Sequence, residues 1–453
     1  MKQRLPWAIA AGYALLFTLL GAWRYAAHRN LVDFGIFAQS LRTNFCCLCN
    51  PIEGSHWAFH FSPILAVPML LLHLWDSPLV LVIIQAAACA LVIPAVYAIV
   101  ERNADARTAA IAAWIAALYP PLAGLAFVDF HENVFAPAAV LWLFWALDAR
   151  RFRSAAAFAV LALAVKEDQA LFIGFAAFAA AWWLRGDTTM RRFLLGIGAL
   201  AVAVAAVFFL VIAPHAGTNP AWQPTRFYAW NASDFAALPG TLVERIGFLV
   251  LALAPLAFVP LRSSVALFAI PPLAEVLLSR MPTTFTMGTH YAGAWIGYIL
   301  AAFAFAAPRV SRRTLYVALA LCALEFAVAD PLHPALNLRP IEARDRALDA
   351  YLARWPADLP VATQEEAYGH LALRVARATL LPDDAAAPLP SDIVLIDRAF
   401  PHSPRLQENA TRLAALEAQG KLRVAVRCGK ILVMTVGTRV PVAAIPRCPR
   451  ASR

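Results

Sequence analysis

Apolar runs long enough to cross a lipid bilayer recur through the first 330 residues of this chain. A spanning helix needs about 20 predominantly apolar residues to cross roughly 30 Å of hydrocarbon. Only 15% of the 453 residues are charged and 61% are hydrophobic, whereas soluble domains carry about 25% charged residues. The sequence therefore predicts a mainly α-helical, polytopic membrane protein, with apolar runs near 8–26, 78–100, 107–127, 134–149, 193–213, 245–261, 264–279, 291–307 and 314–329.

Clusters of Lys and Arg alternate with loops that contain few of them, beginning with Lys2 and Arg4 before the first run. Because basic residues favour the cytoplasmic side, the alternation predicts about eleven helices in the cytoplasmic (inner) membrane, with the N-terminus inside. The first run is too long for the core of a signal peptide and is interpreted as an uncleaved helix. These clusters account for most of the net charge of +10, so nucleic-acid binding is not predicted.

The stretch 154–184 is apolar except for the sequence KEDQ at 166–169. A single helix of this length would measure about 46 Å and would bury charges at the centre of the bilayer. Arg residues flank both ends, and both clusters favour the cytoplasm. We therefore expect two short helices that meet at 166–169. Another short helix is expected at 61–75, lying in the interface or re-entrant, and broken helices are expected in the Pro-containing stretch 245–279.

A change in composition near Asp330 divides the sequence into a membrane domain, 1–330, and a soluble domain, 331–453. An odd number of spans places the second domain outside the cytoplasm. Gly429 and Lys430 form a hairpin signal between two apolar runs. The sequence predicts a small α/β domain with strands at 361–363, 393–396, 422–427 and 430–436 and an amphipathic helix at 404–419.

The cysteines of the loops lie on the side predicted to be oxidising. Cys46, Cys47 and Cys49 follow the first span, and Cys428 and Cys448 lie in the tail. Disulfides form in such compartments, although the sequence leaves the pairing open. A second Cys/His pair at zinc-site spacing does not follow the first group, so the cysteines do not predict a structural zinc site.

Acidic residues cluster in the loops that the topology places on the outer face. Asp33 follows the first span, and Asp129, His131 and Glu132 occupy a short turn between two later spans. Such groups can supply a general base or ligands for a divalent cation. The alternative for each is a solvated loop residue that caps a neighbouring helix.

The strongest functional signal is the interruption at Lys166, Glu167 and Asp168. Ionisable residues at membrane depth usually face a cavity or a partner, and Lys166 has the charge to bind a phosphate. The alternative is an internal ion-pair network that only tolerates a broken helix. His60, His290 and Tyr291 lie on the same predicted face, where Tyr291 also has the position of an interface anchor. Together these residues predict an outward-facing substrate site.

Several segments of the chain resemble a family of bacterial and archaeal polytopic membrane proteins of unassigned function that is grouped with the GT-C glycosyltransferases. The similarity covers most of 1–330, including His290-Tyr291, and extends more loosely into the tail. The segments that carry it are VDFGIFAQSL (32–41), HFSPILAVPMLLLHLWDSPLVLVIIQA (60–86), LYPPLAGLAFVDFHENVFAPAAVLW (118–142), LAVKEDQALF (163–172) and SDIVLIDRA (391–399).

This resemblance implies a GT-C-like fold and transfer of a sugar from a polyprenyl-phosphate donor with inversion at the anomeric carbon. Asp33 occupies the position of the family's general base, and Asp129 or Glu132 that of a second acid. Lys166 is the implied partner of the leaving phosphate. The other candidate substrate- or phosphate-binding residues on the outer face are His60, His131, His290, Tyr291, Glu167 and Asp168.

One departure from the family pattern concerns the first outer loop. Many members carry two adjacent acids there, whereas Asp33 is followed by Phe34. A requirement for a divalent cation is therefore left open, as are the sugar and the acceptor. Two other functions also remain open at this stage. The first is a transporter or flippase for a lipid-linked or anionic substrate, because broken helices with charges at depth are typical of transporters. The second is a non-catalytic membrane scaffold.

Overall fold

The chain forms two compact units in a computed structural model. The structure describes residues 4–30, 32–217, 227–228, 232–328, 340–384, 386–437 and 442–449. The first unit, here called the helical unit, contains Met1–Gly21, Trp57–Leu71 and Leu79–Asn337. The second, here called the sheet unit, contains Ala22–His56, Leu72–Pro78 and Leu338–Arg453. The domain boundary predicted near Asp330 lies outside the described residues and stays a prediction.

Helices make up most of the chain before residue 329. In chain order the elements are α1 (Leu5–Ala26), α2 (Val32–Ser40), β1 (Cys49–Asn50), β2 (Gly54–Ser55), α3 (Ala66–Leu74), α4 (Leu79–Ala90), α5 (Val92–Asn103), α6 (Ala106–Ala117), α7 (Pro120–Phe127), α8 (Ala136–Asp148), α9 (Phe152–Leu163), α10 (Glu167–Trp183), α11 (Thr188–Val207), α12 (Ala213–Ala216), α13 (Ala232–Leu253), α14 (Ile270–Leu278), α15 (Ala292–Ala306) and α16 (Arg312–Val328).

The outward faces of the helical unit are apolar. Val202 on α11, Val243 on α13 and Leu324 on α16 each expose more than half of their surface. Contact between such an apolar surface and water is unfavourable, whereas contact with lipid chains is not. Five described helices are long and apolar enough to cross a membrane, or up to six if α6 and α7, which meet at 48°, form one bent span. The prediction of a polytopic helical membrane protein is confirmed, whereas the count of about eleven membrane helices stays a prediction.

Two predicted helix interruptions are present. Helix α9 ends at Leu163 and α10 begins at Glu167, so the stretch 154–184 is broken at its charged centre. After α13 the chain runs through short 3₁₀ turns, and Ala257 and Phe258 adopt positive φ angles of 50° and 54°. Pro255 and Pro260 account for the break after α13, because each removes a backbone donor and clashes with the preceding turn. The break before α10 contains no proline and coincides with the charged residues.

Helix α15 forms the centre of the helical unit. Nearly all of its side chains are buried, including Trp295 and Tyr298. It packs against α5, α7, α8 and α14. A helix that is apolar and buried on every side belongs in the interior of a bundle, so the segment that follows His290 is held rigidly.

The sheet unit has a five-stranded mixed sheet of order β4-β3-β5-β7-β6. β3 pairs in parallel with β4 and β5, whereas β7 pairs antiparallel with β5 and β6. Val394, Ile396 and Met434 lie in its core. The predicted strands, hairpin and amphipathic helix are confirmed. The elements of this part of the chain are α17 (Ala343–Leu352), β3 (Val361–Thr363), α18 (Glu365–Leu371), β4 (Ala378–Leu380), β5 (Ile393–Asp397), α19 (Pro404–Ala418), β6 (Leu422–Cys428) and β7 (Ile431–Val436).

The chain that follows the first apolar helix also belongs to the sheet unit. The side chain of Gln39 on α2 donates hydrogen bonds to the carbonyls of Val375 (3.0 Å) and Ala376 (2.9 Å) and accepts one from Tyr368 (3.0 Å). A Cβ atom at Gly35 would collide with the Tyr368 ring. Helix α2 therefore packs closely on α18, an association that the sequence did not predict.

Candidate active site

The break between α9 and α10 positions a buried lysine among acids. Lys166 has an extended backbone (φ −163°), and its side chain is 9% exposed. Its Nζ lies 3.4 Å from Oδ2 of Asp168. Glu132, Glu167 and Glu275 also interact electrostatically with the ammonium group. Burial of an ammonium group is costly without such partners, so the acids stabilise a positive charge in the interior of the helical unit.

Glu167 connects this helix break to the segment before α3. Its Oε1 lies 2.9 Å from Nδ1 of His60, and its Oε2 accepts a hydrogen bond of 2.9 Å from the backbone N–H of Phe61. The backbone N–H of Ile64 donates to the carbonyl of Ala164 at 2.9 Å. Glu167 thus holds His60 beside the Lys166 cluster.

The turn between α7 and α8 brings a second buried group to the same site. Asp129 and Glu132 are buried, and Nδ1 of His131 lies 3.0 Å from Oε2 of Glu132. The rings of His131 and His290 stack with centroids 4.0 Å apart, and the His60 ring lies 6.4 Å from that of His131. These distant parts of the chain therefore form one cluster in the helical unit.

The two loop histidines His60 and His131 have pKa values shifted in opposite directions. Burial opposes protonation of both rings, but Glu167 outweighs it at His60 and raises the pKa of that ring. At His131 burial prevails over the neighbouring Glu132 and lowers the pKa to about 4. At neutral pH His131 is therefore uncharged, whereas Glu167 favours the charged form of His60.

Three further residues of the site were missed by sequence reasoning. Glu275 lies on α14, which packs against α10, and interacts electrostatically with Lys166 and Asp168. The Tyr298 hydroxyl donates a hydrogen bond of 3.2 Å to Oε1 of the buried Gln169. An acid within an apolar run is itself a functional signal, so Glu275 was detectable in the sequence. The residues that neighbour Tyr298 and Gln169 in the sequence do not indicate that these two side chains form a hydrogen bond.

A small apolar cavity of about 40 Å³ lies beside Tyr298. Its walls come from α8, α10 and α11, together with Phe268. Because Tyr298 lines the cavity and also binds Gln169, an apolar surface and the charged cluster share this residue.

Nine of the ten predicted site residues lie in the helical unit. Contacts join eight of these residues to the cluster, and Asp129 is buried in the turn that carries His131 and Glu132. The Tyr291 ring lies next to the stacked rings of His131 and His290, with its centroid 4.2 Å from that of His290. Asp33 belongs instead to the sheet unit, where it lies half-buried in the first turn of α2. Within the described residues of the helical cluster, three His or carboxylate ligand atoms do not lie within 4.8 Å of one another. No cation site is assigned to this cluster, and the role of Asp33 stays a prediction.

Gly293 allows α15 to approach the turn that carries Glu132. A Cβ atom at this position would collide with the backbone oxygen of Asn133. We expect Gly293→Ala to destabilise the protein by about 1–3 kcal/mol, the usual cost of overpacking, and to displace His131. Thermal unfolding in detergent measures the effect. Gly196→Ala on α11 is the control, because nothing lies within 4 Å of a Cβ there. Equal unfolding temperatures for the two variants would contradict the close packing.

The fold is that of a polytopic membrane protein with a GT-C-like architecture. ArnT from Cupriavidus metallidurans bound to undecaprenyl phosphate superimposes with a TM-score of 0.59 at 13% identity, over 94% of this chain and 98% of that chain. The apo state of the same ArnT gives a TM-score of 0.52 at 12% identity with the same coverage. The chain belongs to the family described as predicted membrane protein (DUF2079), whose model matches residues 30–356. No match was found among curated proteins.

Proposed function

We propose that this protein is an inverting glycosyltransferase that takes its sugar from a polyprenyl-phosphate donor at the outer face of the cytoplasmic membrane. The observation that carries the proposal is the buried Lys166 in a GT-C fold, surrounded by acids and histidines. A fixed positive charge in a water-poor site stabilises a developing anion far more than the same charge in bulk water. The leaving group of this reaction is a lipid phosphate.

In the proposed reaction a carboxylate removes the proton from the acceptor hydroxyl. The acceptor oxygen then bonds to the anomeric carbon as the bond from that carbon to the phosphate oxygen breaks, and the electron pair leaves with the phosphate. Asp33 is the proposed base, and Asp129 and Glu132 are the proposed second acids. Lys166 compensates the phosphate charge, while His60, His131 and His290 position the donor.

Two further observations support a lipid-linked donor outside the cytoplasm. The structurally similar ArnT was crystallised with undecaprenyl phosphate. Cys428 pairs with Cys448, and Cys47 with Cys49. Disulfides persist in oxidising compartments, which supports an extracytoplasmic sheet unit.

The test uses the full-length protein reconstituted in liposomes with a panel of labelled polyprenyl-phosphate sugars and an extract of cell-envelope acceptors. We expect time-dependent release of polyprenyl phosphate together with labelled product of inverted anomeric configuration. Empty liposomes are the control for spontaneous hydrolysis. Movement of intact donor between leaflets without release of polyprenyl phosphate would overturn the proposal in favour of a flippase.

A further inference from the structure

A second polar cluster lies wholly within the sheet unit. It consists of His28 just after α1, Asp349 on α17 and His370 on α18. Nε2 of His28 lies 3.1 Å from Oδ1 of Asp349, and Nδ1 of His370 lies 2.9 Å from the same oxygen. These potential ligand atoms all lie within 4.8 Å of one another. Adjacent ligands of a tetrahedral zinc ion are about 3.3 Å apart, given metal–ligand bonds of roughly 2.0–2.1 Å.

Backbone carbonyls orient both imidazole rings. Nδ1 of His28 lies 2.7 Å from the carbonyl of Glu366, and Nε2 of His370 lies 3.0 Å from the carbonyl of Tyr25. A carbonyl only accepts, so each of these nitrogens carries a proton. The other two nitrogens, Nε2 of His28 and Nδ1 of His370, are directed towards the Asp349 carboxylate, and Nε2 of His28 also lies 3.2 Å from the carbonyl of Asp345. Because these oxygens also only accept, protons occupy these contacts in the metal-free protein, and a bound metal ion would displace them. Hydrogen bonds of this kind orient the histidine ligands of metal sites.

We propose that His28, Asp349 and His370 bind a divalent transition-metal ion of the zinc type. Two imidazole nitrogens and one carboxylate oxygen form the ligand set of many zinc and related sites. The imidazoles are nearly inaccessible, with side-chain exposures of 0% and 7%, whereas Asp349 is 44% exposed. The carboxylate side therefore provides the route of entry and leaves a coordination position for water. This inference does not rest on the proposed glycosyl transfer.

Metal binding requires a small rearrangement of the two rings. The His28 and His370 rings stack with centroids 3.8 Å apart at 16°, and Tyr25 stacks on His370 at 4.0 Å. A nitrogen lone pair lies in the plane of its ring, so stacked rings must tilt apart before both can point at one ion. His28 has a left-handed φ of 50°, a conformation that persists only where the surroundings hold it. Its backbone is therefore already constrained around the site.

The test measures zinc binding to the tag-free, full-length protein in detergent after treatment with a chelator. We expect about one equivalent to bind, in competition with a chromophoric indicator, and to raise the unfolding temperature. His370→Gln and Asp349→Asn are each expected to weaken binding by more than about 100-fold, because even outer-shell partners contribute about 10–100-fold. His402→Gln, at an exposed histidine of the same unit, is the matched control and should bind as the wild type does.

Cobalt provides a measurement that needs no variant. Co²⁺ bound by two imidazoles and a carboxylate should show visible d–d absorption that disappears when one equivalent of zinc is added. Wild-type protein that gives no such bands and no zinc-dependent rise in unfolding temperature would overturn the proposal. So would His370→Gln protein that binds zinc as tightly as the wild type. Either result would show that the three residues form a proton-linked hydrogen-bond network only.

Discussion

Asp33→Asn protein should transfer sugar about 10²- to 10⁴-fold more slowly than the wild type, the usual contribution of a positioned general base. The amide has nearly the volume of the carboxylate but cannot take the proton of the acceptor hydroxyl. Donor binding should change little, because the proposed phosphate contacts lie on other residues. The measurement is the single-turnover rate of polyprenyl-phosphate release in liposomes, with the dissociation constant of the donor measured alongside.

A structural role for Asp33 predicts a different result. An acid in the first turn of a helix stabilises it by about 0.3–1 kcal/mol, so a capping role would shift the unfolding temperature slightly and leave turnover intact. Asp76→Asn is the matched control, since Asp76 is an exposed acid of the same unit that lies 3.5 Å from Arg42. Wild-type turnover in Asp33→Asn protein would remove Asp33 from the mechanism. If Asp129→Asn then abolished transfer, the base would lie in the helical unit.

Lys166→Gln should abolish turnover and also destabilise the protein by about 3–5 kcal/mol. Removal of one partner from a buried ion pair leaves the other charge uncompensated, and here Asp168 remains buried with Glu132 and Glu275 in electrostatic range. The double variant Lys166→Gln/Asp168→Asn replaces the pair by neutral side chains and should recover most of the lost stability. It should not recover turnover, because the charge that faces the phosphate is still absent.

Thermal unfolding in detergent and the transfer assay together separate these two effects. Arg150→Gln is the control variant, because Arg150 forms an ion pair with Asp187 in which it is largely exposed. Exposed pairs contribute about 0–1 kcal/mol, so this change should leave both stability and turnover close to the wild type. A double variant that recovers both stability and turnover would show that Lys166 belongs to a structural network and not to a phosphate site.

The features predicted from sequence are those encoded over short stretches of chain. The break at 166–169 followed from charges within an apolar run, and the hairpin at Gly429 followed from a turn residue between two apolar runs. Glu275 carried the same kind of signal as Lys166 and was overlooked within the short run 264–279. Each of these features depends on neighbouring residues, which the sequence displays directly.

The sequence predicted only part of the grouping of residues that lie far apart along the chain. The predicted topology placed His60, His131 and Lys166 on one face, but it did not indicate that Glu167 holds His60 or that His131 stacks on His290. The cluster of His28, Asp349 and His370 was not predicted at all. His28 lies more than 300 residues before Asp349 in the sequence. A lone histidine after an apolar helix gives no sign of such distant partners.

The sequence by itself determined that the protein is helical, lies in a membrane and ends in a small α/β unit, because apolar run length and local periodicity depend on the solvent around each segment. Only the tertiary structure decided that residues 22–56 pack with the C-terminal sheet unit, that Glu275 and Tyr298 belong to the charged site, and that two histidines share one carboxylate of Asp349. These features arise from packing between distant segments, which depends on the shapes of both partners together.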